Sequence, residues 1–209
     1  VHLSAIFSGT TAEDLSLVEP GFFERTGFTL RLAARAGSID RRTNTVTTAD
    51  GEVLAYDKLV LATGSNPFVP SGPGRDREHI HVYRTIEDLE AMQASGAKSK
   101  TGVVVGGGLL GLECAKALSD MGLETHVVEF APRLMAVQVD EGGGRVLRAK
   151  IEELGVQVHT GRNTQEITDG ATGRHRMVFA DGTYLETDMI VFSAGIRPRD
   201  DLARQCVLA

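Results

Sequence analysis

The chain has 209 residues, 42% of them hydrophobic and 24% charged, with a formal net charge of −6, which is typical of a globular protein of one large or two modest domains. The acidic balance provides no positive field for a nucleic acid backbone or an anionic lipid surface. No apolar run reaches the roughly 20 residues that a membrane span requires, so neither nucleic acid nor membrane is expected as a partner.

The first pattern along the chain is a hairpin followed by an apolar strand. Asp50 and Gly51 form a dipeptide suited to the positive φ angles of a tight hairpin turn. Residues 59–62 are then apolar and lead into Thr63 and Gly64. An apolar run that ends in a small residue and glycine predicts a central sheet strand whose carboxyl end meets a cofactor.

The clearest motif is a strand, glycine turn and helix. The β-branched residues 103–105 lead directly into Gly106, Gly108 and Gly111, which have the spacing GxGxxG, and apolar residues at helical spacing continue to Gly122. In a dinucleotide-binding turn the first glycine permits the tight bend. The second lets the pyrophosphate approach, and the third lets helix and strand pack closely.

The helix that follows the turn begins with Leu109 and Leu110. Its amino terminus provides unpaired N–H groups and the positive end of the helix dipole, which together predict a phosphate-binding site. Glu113 is predicted in the first turn. It can act as a partner of the helix dipole or reach toward the nicotinamide end of a dinucleotide, and the sequence leaves both interpretations open.

The next strand ends in an acidic residue, Glu129, about 20 residues after Gly106. A carboxylate at this distance typically accepts hydrogen bonds from the hydroxyls of the adenosine ribose and repels a 2′-phosphate. Glu129 therefore favours NADH over NADPH, unless Arg133 turns toward the phosphate and neutralises it. The alternative interpretation is that Glu129 is an exposed glutamate at the end of a strand, with no role in binding.

A second helix and a further strand are predicted next. Asp140 is expected to cap a helix that ends before Gly155, with a buried stripe of Val146, Leu147, Ile151 and Leu154, and residues 156–159 are expected to form a strand. Asp181 and Gly182 then predict another hairpin, followed by the apolar strand 190–193 and Gly195.

The two hairpin regions are an internal repeat, because residues 49–67 and 180–198 align without a gap. If both close a dinucleotide domain, the spacing from Gly106 to Gly195 puts the glycine turn of the first copy before Val1. We therefore predict an α/β chain with a complete Rossmann-type domain, including a hairpin or meander, in residues 81–209. Residues 1–80 would be the remnant of a second domain of the same type.

No other motif indicates catalysis. Cys114 and Cys206 are far apart and form no CxxC pair, which indicates a reducing cytoplasm and no dithiol or metal centre. His79 and His81 have no third ligand nearby in the sequence, so a metal site is not expected. We assign no side chain a catalytic role.

Several segments resemble the large subunits of NADH-dependent nitrite reductases, within the FAD- and NAD-dependent pyridine nucleotide oxidoreductases. The Ala62-Thr63-Gly64 segment and the glycine turn are shared with many relatives of that superfamily. The likeness to the nitrite reductase subunits covers residues 1–4, 82–89, 106–113, 124–136 and 192–200, and the stretch 124–136 is its specific part.

The resemblance implies a cytoplasmic flavoprotein oxidoreductase of nitrate assimilation that passes hydride from NADH to FAD. Electrons would then reach an iron–sulfur and sirohaem centre that reduces nitrite to ammonia. It also implies that Thr63 and Gly64 lie beside FAD, Gly195 beside the nicotinamide nucleotide and Glu113 near both rings. The expected partners are the remainder of a longer chain and a small subunit, and this chain alone is not expected to reduce nitrite.

Two alternatives share these motifs. One is the NADH-dependent reductase component for a rubredoxin or ferredoxin, which differs only in its electron acceptor. The other is a non-catalytic NADH-binding module, which fits a chain that lacks a glycine turn for FAD. A glycine fingerprint before Val1 and cysteine clusters after residue 209 would favour nitrite reductase.

Overall fold

A computed structural model describes residues 3–208. Val1 and His2, which contribute to the resemblance above, lie outside the described residues. The helices are a 3₁₀-helix at Leu3–Ser8, α1 (Phe22–Thr26), α2 (Ile86–Gly96), α3 (Leu109–Asp120), α4 (Glu141–Glu153) and α5 (Asp201–Gln205). The strands are β1 (Ala36–Asp40), β2 (Thr45–Thr48), β3 (Val53–Ala55), β4 (Ser65–Pro67), β5 (Ile80–Val82), β6 (Thr101–Val105), β7 (Glu124–Val128), β8 (Gln157–His159), β9 (Thr164–Asp169), β10 (His175–Phe179), β11 (Tyr184–Thr187), β12 (Met189–Phe192) and β13 (Ile196–Pro198).

The chain forms two compact units. The larger unit contains the residues up to Leu15 and Pro67–Ile196, and the smaller unit contains Ser16–Asn66 and the residues from Arg197 onward. The units therefore do not follow the boundary between residues 80 and 81, because residues 67–80 belong to the larger unit and α5 belongs to the smaller. The assignment of residues 1–80 and 81–209 to two cofactor domains stays a prediction.

The larger unit is built on a parallel sheet of five strands in the order β5-β12-β6-β7-β8. Helices pack on one face, and the antiparallel strands β9, β10 and β11 lie on the other. Alternate residues of β6 enter the two cores: Val104 packs on the helical side and Val103 on the side of the antiparallel strands. Because both faces of the sheet are covered, β12 is apolar throughout and β6 ends in three valines. The predicted Rossmann-type fold is confirmed.

The predicted strand-turn-helix is confirmed as β6 and α3. Gly122 has φ +84° and follows α3 in the left-handed conformation that ends many helices. Asp140 caps α4, since its Oδ1 accepts the N–H of Gly143 at 2.7 Å. The buried stripe of α4 was predicted only in part. Leu147 and Ile151 pack on the core, whereas Val146 and Leu154 are 63% and 60% exposed.

The smaller unit contains the antiparallel sheet β1-β2-β3 and the short helices α1 and α5. Both predicted hairpins are present, with Gly51 at φ +94° between β2 and β3 and Gly182 at φ +79° between β10 and β11.

The predicted strand at residues 59–62 is wrong. These residues form no strand, and Val60 is 85% exposed. A buried parallel strand needs neighbours on both sides, and the described part of the smaller unit has no parallel sheet to provide them.

Two histidines from neighbouring strands stack in the larger unit. Nδ1 of His126 in β7 lies 3.1 Å from Nε2 of His159 in β8, and the rings are 5.4 Å apart. Burial, and then the facing His159, lowers the pKa of His126, although Glu124 opposes this shift. Burial, and then Arg162 and Arg148, lowers the pKa of His159, with Glu152 opposing. Both rings are therefore favoured in their neutral form.

This pair is expected to make the fold weaker in mild acid. Because the pKa values are lowered in the fold, the unfolded chain binds protons first as the pH falls, so the stabilisation is complete above about pH 6.5 and is lost below it. Replacing His126 and His159 by glutamine should make the free energy of urea unfolding depend less steeply on pH between about pH 7 and 5. The slope should fall by at most about 1.4 kcal/mol per pH unit for each group. Equal slopes for the two proteins would show that the pair does not titrate as described.

Candidate functional site: a glycine turn and its pocket

The turn between β6 and α3 has the shape that its glycines predict. Gly106 has φ +123°, its N–H donates to the carbonyl of Val128 at 2.8 Å, and a Cβ there would collide with the carbonyl of Ser193. A Cβ at Gly111 would collide with the carbonyl of Gly106. At Gly108, by contrast, a Cβ would meet nothing within 4 Å. The first and third glycines are thus required by packing, and the second faces open space.

The start of α3 is open to a ligand. No side chain caps the helix at Gly108, so the first N–H groups of Leu109 and Leu110 lack a side-chain acceptor at this end. Both leucines line a pocket together with Gly106 and Gly108. The amino-terminal end of a helix favours anions, and a phosphate at this position would accept hydrogen bonds from its N–H groups.

The carboxylate of Glu129 lies beside the turn. Its Oε2 accepts the N–H of Gly107 at 2.5 Å, and its Oε1 accepts the N–H of Ala131 at 2.6 Å. Glu129 lines the same pocket as Gly108. Since each carboxylate oxygen has two acceptor sites, the two amides orient the group and leave further sites for ligand hydroxyls. Sequence reasoning predicted the carboxylate, but the amides that orient it are visible only in the fold.

Arg133 lies outside the residues that line the pocket. Its Nε donates to the carbonyl of Val139 at 3.1 Å and its Nη2 to the carbonyl of Ala136 at 3.0 Å, while Gly144 packs against its aliphatic stem. The guanidinium thus holds the loop between β7 and α4 in shape. To reach a 2′-phosphate, it would have to break both hydrogen bonds.

Glu113 is the fifth residue of α3, beyond the first turn in which it was predicted. The hydroxyl of Tyr83 donates to its Oε1 at 3.2 Å. Tyr83 lines the pocket and Glu113 does not, so this hydrogen bond connects the carboxylate to a residue of the pocket wall. Cys114, the next residue, is fully buried, and burial raises the pKa of its thiol. A thiol in that setting is inert toward substrates.

The far end of the pocket follows β12. Ser193 extends the sheet by donating its N–H to the carbonyl of Val105 at 2.8 Å, and Gly195 has φ +114°. The carbonyl of Gly195 accepts the N–H of Phe68 at 2.8 Å. Ser193 and Gly195 line the pocket with the glycine turn, so the structure brings the predicted Gly195 to the same cavity as Gly106, Gly108 and Glu129.

Thr63 and Gly64 belong to the smaller unit. The Thr63 hydroxyl donates to the carbonyl of Arg199 at 2.5 Å, and the carbonyl of Gly64 accepts the N–H of Arg199 at 3.0 Å. The structure therefore does not place these two predicted residues in the pocket of the larger unit. The smaller unit, within its described residues, has no glycine turn between a parallel strand and a helix, so these residues alone do not fit the phosphates of FAD.

The pocket is a cavity of about 660 Å³, large enough for a cofactor. It lies wholly within the larger unit, and four of its polar residues were missed from the sequence: Arg75, Tyr83, Arg162 and Thr164. None of them belongs to the glycine turn or to the strand that ends in Glu129, and the sequence analysis assigned none of them a role. Within residues 3–208 there is no cluster of three metal-ligating side chains. No helix in that part of the chain is long and apolar enough to cross a membrane.

The sequence matches the family described as pyridine nucleotide-disulphide oxidoreductase over residues 7–209. It is 54% identical over 209 residues to the nitrite reductase (NADH) large subunit of Escherichia coli (strain K12), covering 100% of this chain and 25% of that relative. It is 57% identical over 204 residues to the nitrite reductase [NAD(P)H] large subunit of Klebsiella oxytoca, covering 98% and 21%. The chain thus spans about a quarter of the length of these relatives.

Two solved structures have the same fold. The ferredoxin reductase for the CYP199A2 system from Rhodopseudomonas palustris superimposes with a TM-score of 0.89 and 28% identity, over 98% of this chain and 51% of that one. The water-forming NADH oxidase from Lactobacillus brevis, bound to NADH, has a TM-score of 0.85 and 27% identity, over 97% of this chain and 46% of that one.

Proposed function

Because this chain belongs to the pyridine nucleotide-disulphide oxidoreductase family, we propose that its larger unit binds NADH and presents it for hydride transfer to FAD. One observation carries the proposal. A glycine turn, an uncapped helix start and an oriented carboxylate meet in a single pocket, formed by Gly106, Gly108, Leu109, Leu110 and Glu129. The similarity to an oxidase whose structure holds NADH supports the same assignment.

Each part of the pocket has a role in binding. The N–H groups of Leu109 and Leu110 bind the pyrophosphate, and the carboxylate of Glu129 accepts hydrogen bonds from the adenosine ribose. The chain beyond β12, which reaches Gly195, receives the nicotinamide end. Tyr83 lies in the wall of the pocket and holds Glu113 behind it. The protein positions the dihydronicotinamide and excludes water, and the cofactors perform the redox chemistry.

FAD, when bound, would accept the hydride and pass electrons onward singly. In this chain only Thr63 and Gly64 are proposed to lie beside it. Since the described residues of the smaller unit do not fit its phosphates, we propose that FAD is bound only when a further part of a longer protein is present.

We also propose that the longer protein reduces nitrite to ammonia at an iron–sulfur and sirohaem centre, in the cytoplasm and for nitrate assimilation. The two nitrite reductase large subunits, at 54% and 57% identity, support this assignment. Cys114 and Cys206 are both buried and cannot provide the four thiolates of a cluster. The centre therefore belongs to the remainder of that protein, and the proposed partner is a small subunit.

The alternatives have weaker support. A rubredoxin-NAD(+) reductase from Pseudomonas putida is 30% identical to this chain, well below the nitrite reductases. A non-catalytic NADH-binding module has less support, because the relatives at 54% and 57% identity are NADH- or NAD(P)H-dependent reductases. NADH-dependent formation of ammonia from nitrite by the longer protein, compared with reduction of rubredoxin, distinguishes the acceptors.

The 209-residue chain is expected to bind NADH at a ratio of one to one and to purify without flavin. The reason is that the pocket for NADH lies wholly within the larger unit, whereas the site for FAD is incomplete. Calorimetric titration with NADH, together with an absorbance spectrum, measures both properties. A chain that fails to bind NADH contradicts the proposed function, and a stoichiometrically yellow chain contradicts the proposal that FAD needs additional residues.

A further inference from the structure

The loop that precedes β5 carries an arginine into the pocket. Pro73 accepts the N–H of Ile167 in β9 at 3.1 Å, and Gly74, at φ +78°, packs so closely on Ile167 that a Cβ there would collide with its carbonyl. Arg75 follows directly and lines the pocket. The loop is thus held on β9 by backbone contacts, and Arg75 begins from a fixed position.

The guanidinium of Arg75 is only partly satisfied. Its Nη2 donates to the carbonyl of Thr164 at 2.8 Å, and its Cζ lies 5.4 Å from the ring centre of Phe192. Its Nε and Nη1 are buried without a hydrogen-bond partner, as is the hydroxyl of Thr164 beside it. No salt bridge among the described residues involves Arg75. Leaving such donors without acceptors destabilises the folded protein.

The position of Arg75 indicates which ligand would satisfy these donors. Phe192 ends β12, the neighbour of β6, and β6 leads directly into Gly106. Arg75 and Thr164 therefore lie in the same cavity as the glycine turn. Burial lowers the pKa of Arg75, but an arginine remains protonated at neutral pH. A planar cation with unused N–H groups is suited to bind two oxygens of a phosphate.

We propose that Arg75 binds a phosphate oxygen of the dinucleotide, opposite the N–H groups at the start of α3, with the Thr164 hydroxyl as a second donor. This inference rests on the proposed NADH function. Two other arginines line the pocket, Arg84 and Arg162. Neither is without a partner, and Arg162 pairs with Asp181 and lies 5.7 Å from the ring centre of Phe179. Arg75 is the pocket arginine whose donors are left without partners.

The test is calorimetric titration of wild type, Arg75→Gln and Arg75→Lys with NADH, ADP-ribose and adenosine at one salt concentration. Arg75→Gln should weaken NADH and ADP-ribose about ten- to a hundredfold, because a charge-assisted hydrogen bond is lost, and should leave adenosine unchanged. Arg75→Lys keeps the charge and should retain part of the affinity. Arg145→Gln is the matched control for net charge, since Arg145 is exposed on α4 and paired with Glu141.

Thermal melting without ligand separates binding from structure. The melting temperature of Arg75→Gln should equal or exceed that of wild type, because an unsatisfied buried cation has been removed. Equal losses for adenosine and ADP-ribose, or no loss at all, would overturn the role in phosphate binding. The role would also be overturned if Arg75→Lys bound NADH as weakly as Arg75→Gln. If wild type itself binds neither NADH nor ADP-ribose, the proposed function fails, which is a distinct result.

Discussion

Replacing Glu129 by alanine is expected to weaken NADH binding about ten- to a hundredfold, because the variant loses a charged acceptor for the ribose hydroxyls. NADPH should not weaken to the same extent, since the carboxylate that repels its 2′-phosphate is also removed. Arg133 should contribute little to NADPH binding, because its guanidinium already donates to the carbonyls of Ala136 and Val139. Selectivity should therefore flatten.

Paired titrations of NADH and NADPH at one salt concentration measure this change. Glu124→Ala is the matched control, because Glu124 lies at the opposite end of the same strand and bonds the exposed Gln157. It should change neither affinity. If Glu129→Ala alters NADH and NADPH by the same factor, Glu129 only orders the loop through the amides of Gly107 and Ala131 and does not select the cofactor.

Gly106→Ala and Gly108→Ala are both expected to weaken NADH binding, but only Gly106→Ala is expected to lower stability. At Gly106 the backbone has φ +123° and a Cβ would meet the carbonyl of Ser193, so the free energy of unfolding should fall by about 1–3 kcal/mol. NADH binding should fall with it, since the turn must shift. At Gly108 a Cβ meets no protein atom within 4 Å. Stability should therefore change by less than about 0.5 kcal/mol, while NADH binding falls at least about tenfold because the methyl group occupies the place of a phosphate.

Urea unfolding and NADH titration of both variants test this contrast. Gly122→Ala provides the control for strain alone, because Gly122 also has a positive φ, +84°, but lies at the far end of α3 with open space around it. It should lower stability and leave NADH affinity unchanged. If Gly108→Ala binds NADH normally, the pyrophosphate does not pass over Gly108 and the proposed orientation of the cofactor is wrong.

Local patterns were sufficient to predict the elements that carry the pocket. The turn at Gly106, the helix ending at Gly122 and the carboxylate of Glu129 depend on residues close together in the sequence, where glycine conformations and helical spacing act directly. The two hairpins at Gly51 and Gly182 were predictable for the same reason. The family likeness, too, could be found from the sequence, because it depends on contiguous segments.

Where long-range packing decides, the sequence was less informative. Residues 59–62 have the pattern of a buried strand, yet they form none, because a parallel strand exists only if neighbours pair with it. Arg133 is close enough to Glu129 in the sequence to suggest that it binds a phosphate, but its guanidinium donates instead to the carbonyls of Ala136 and Val139. In α4, helical spacing did not show that Val146 would face outward.

The sequence by itself determined the glycine turn, the strand that ends in Glu129 and the class of cofactor that such a turn accepts. Only the tertiary structure decided which distant residues complete the pocket. Arg75 and Thr164 are 89 residues apart and meet because β9 packs beside the loop that carries Arg75. The physical reason is that turn conformation and helix spacing are set by neighbours in the chain, whereas an unpaired buried guanidinium is created by the packing of the whole unit around it.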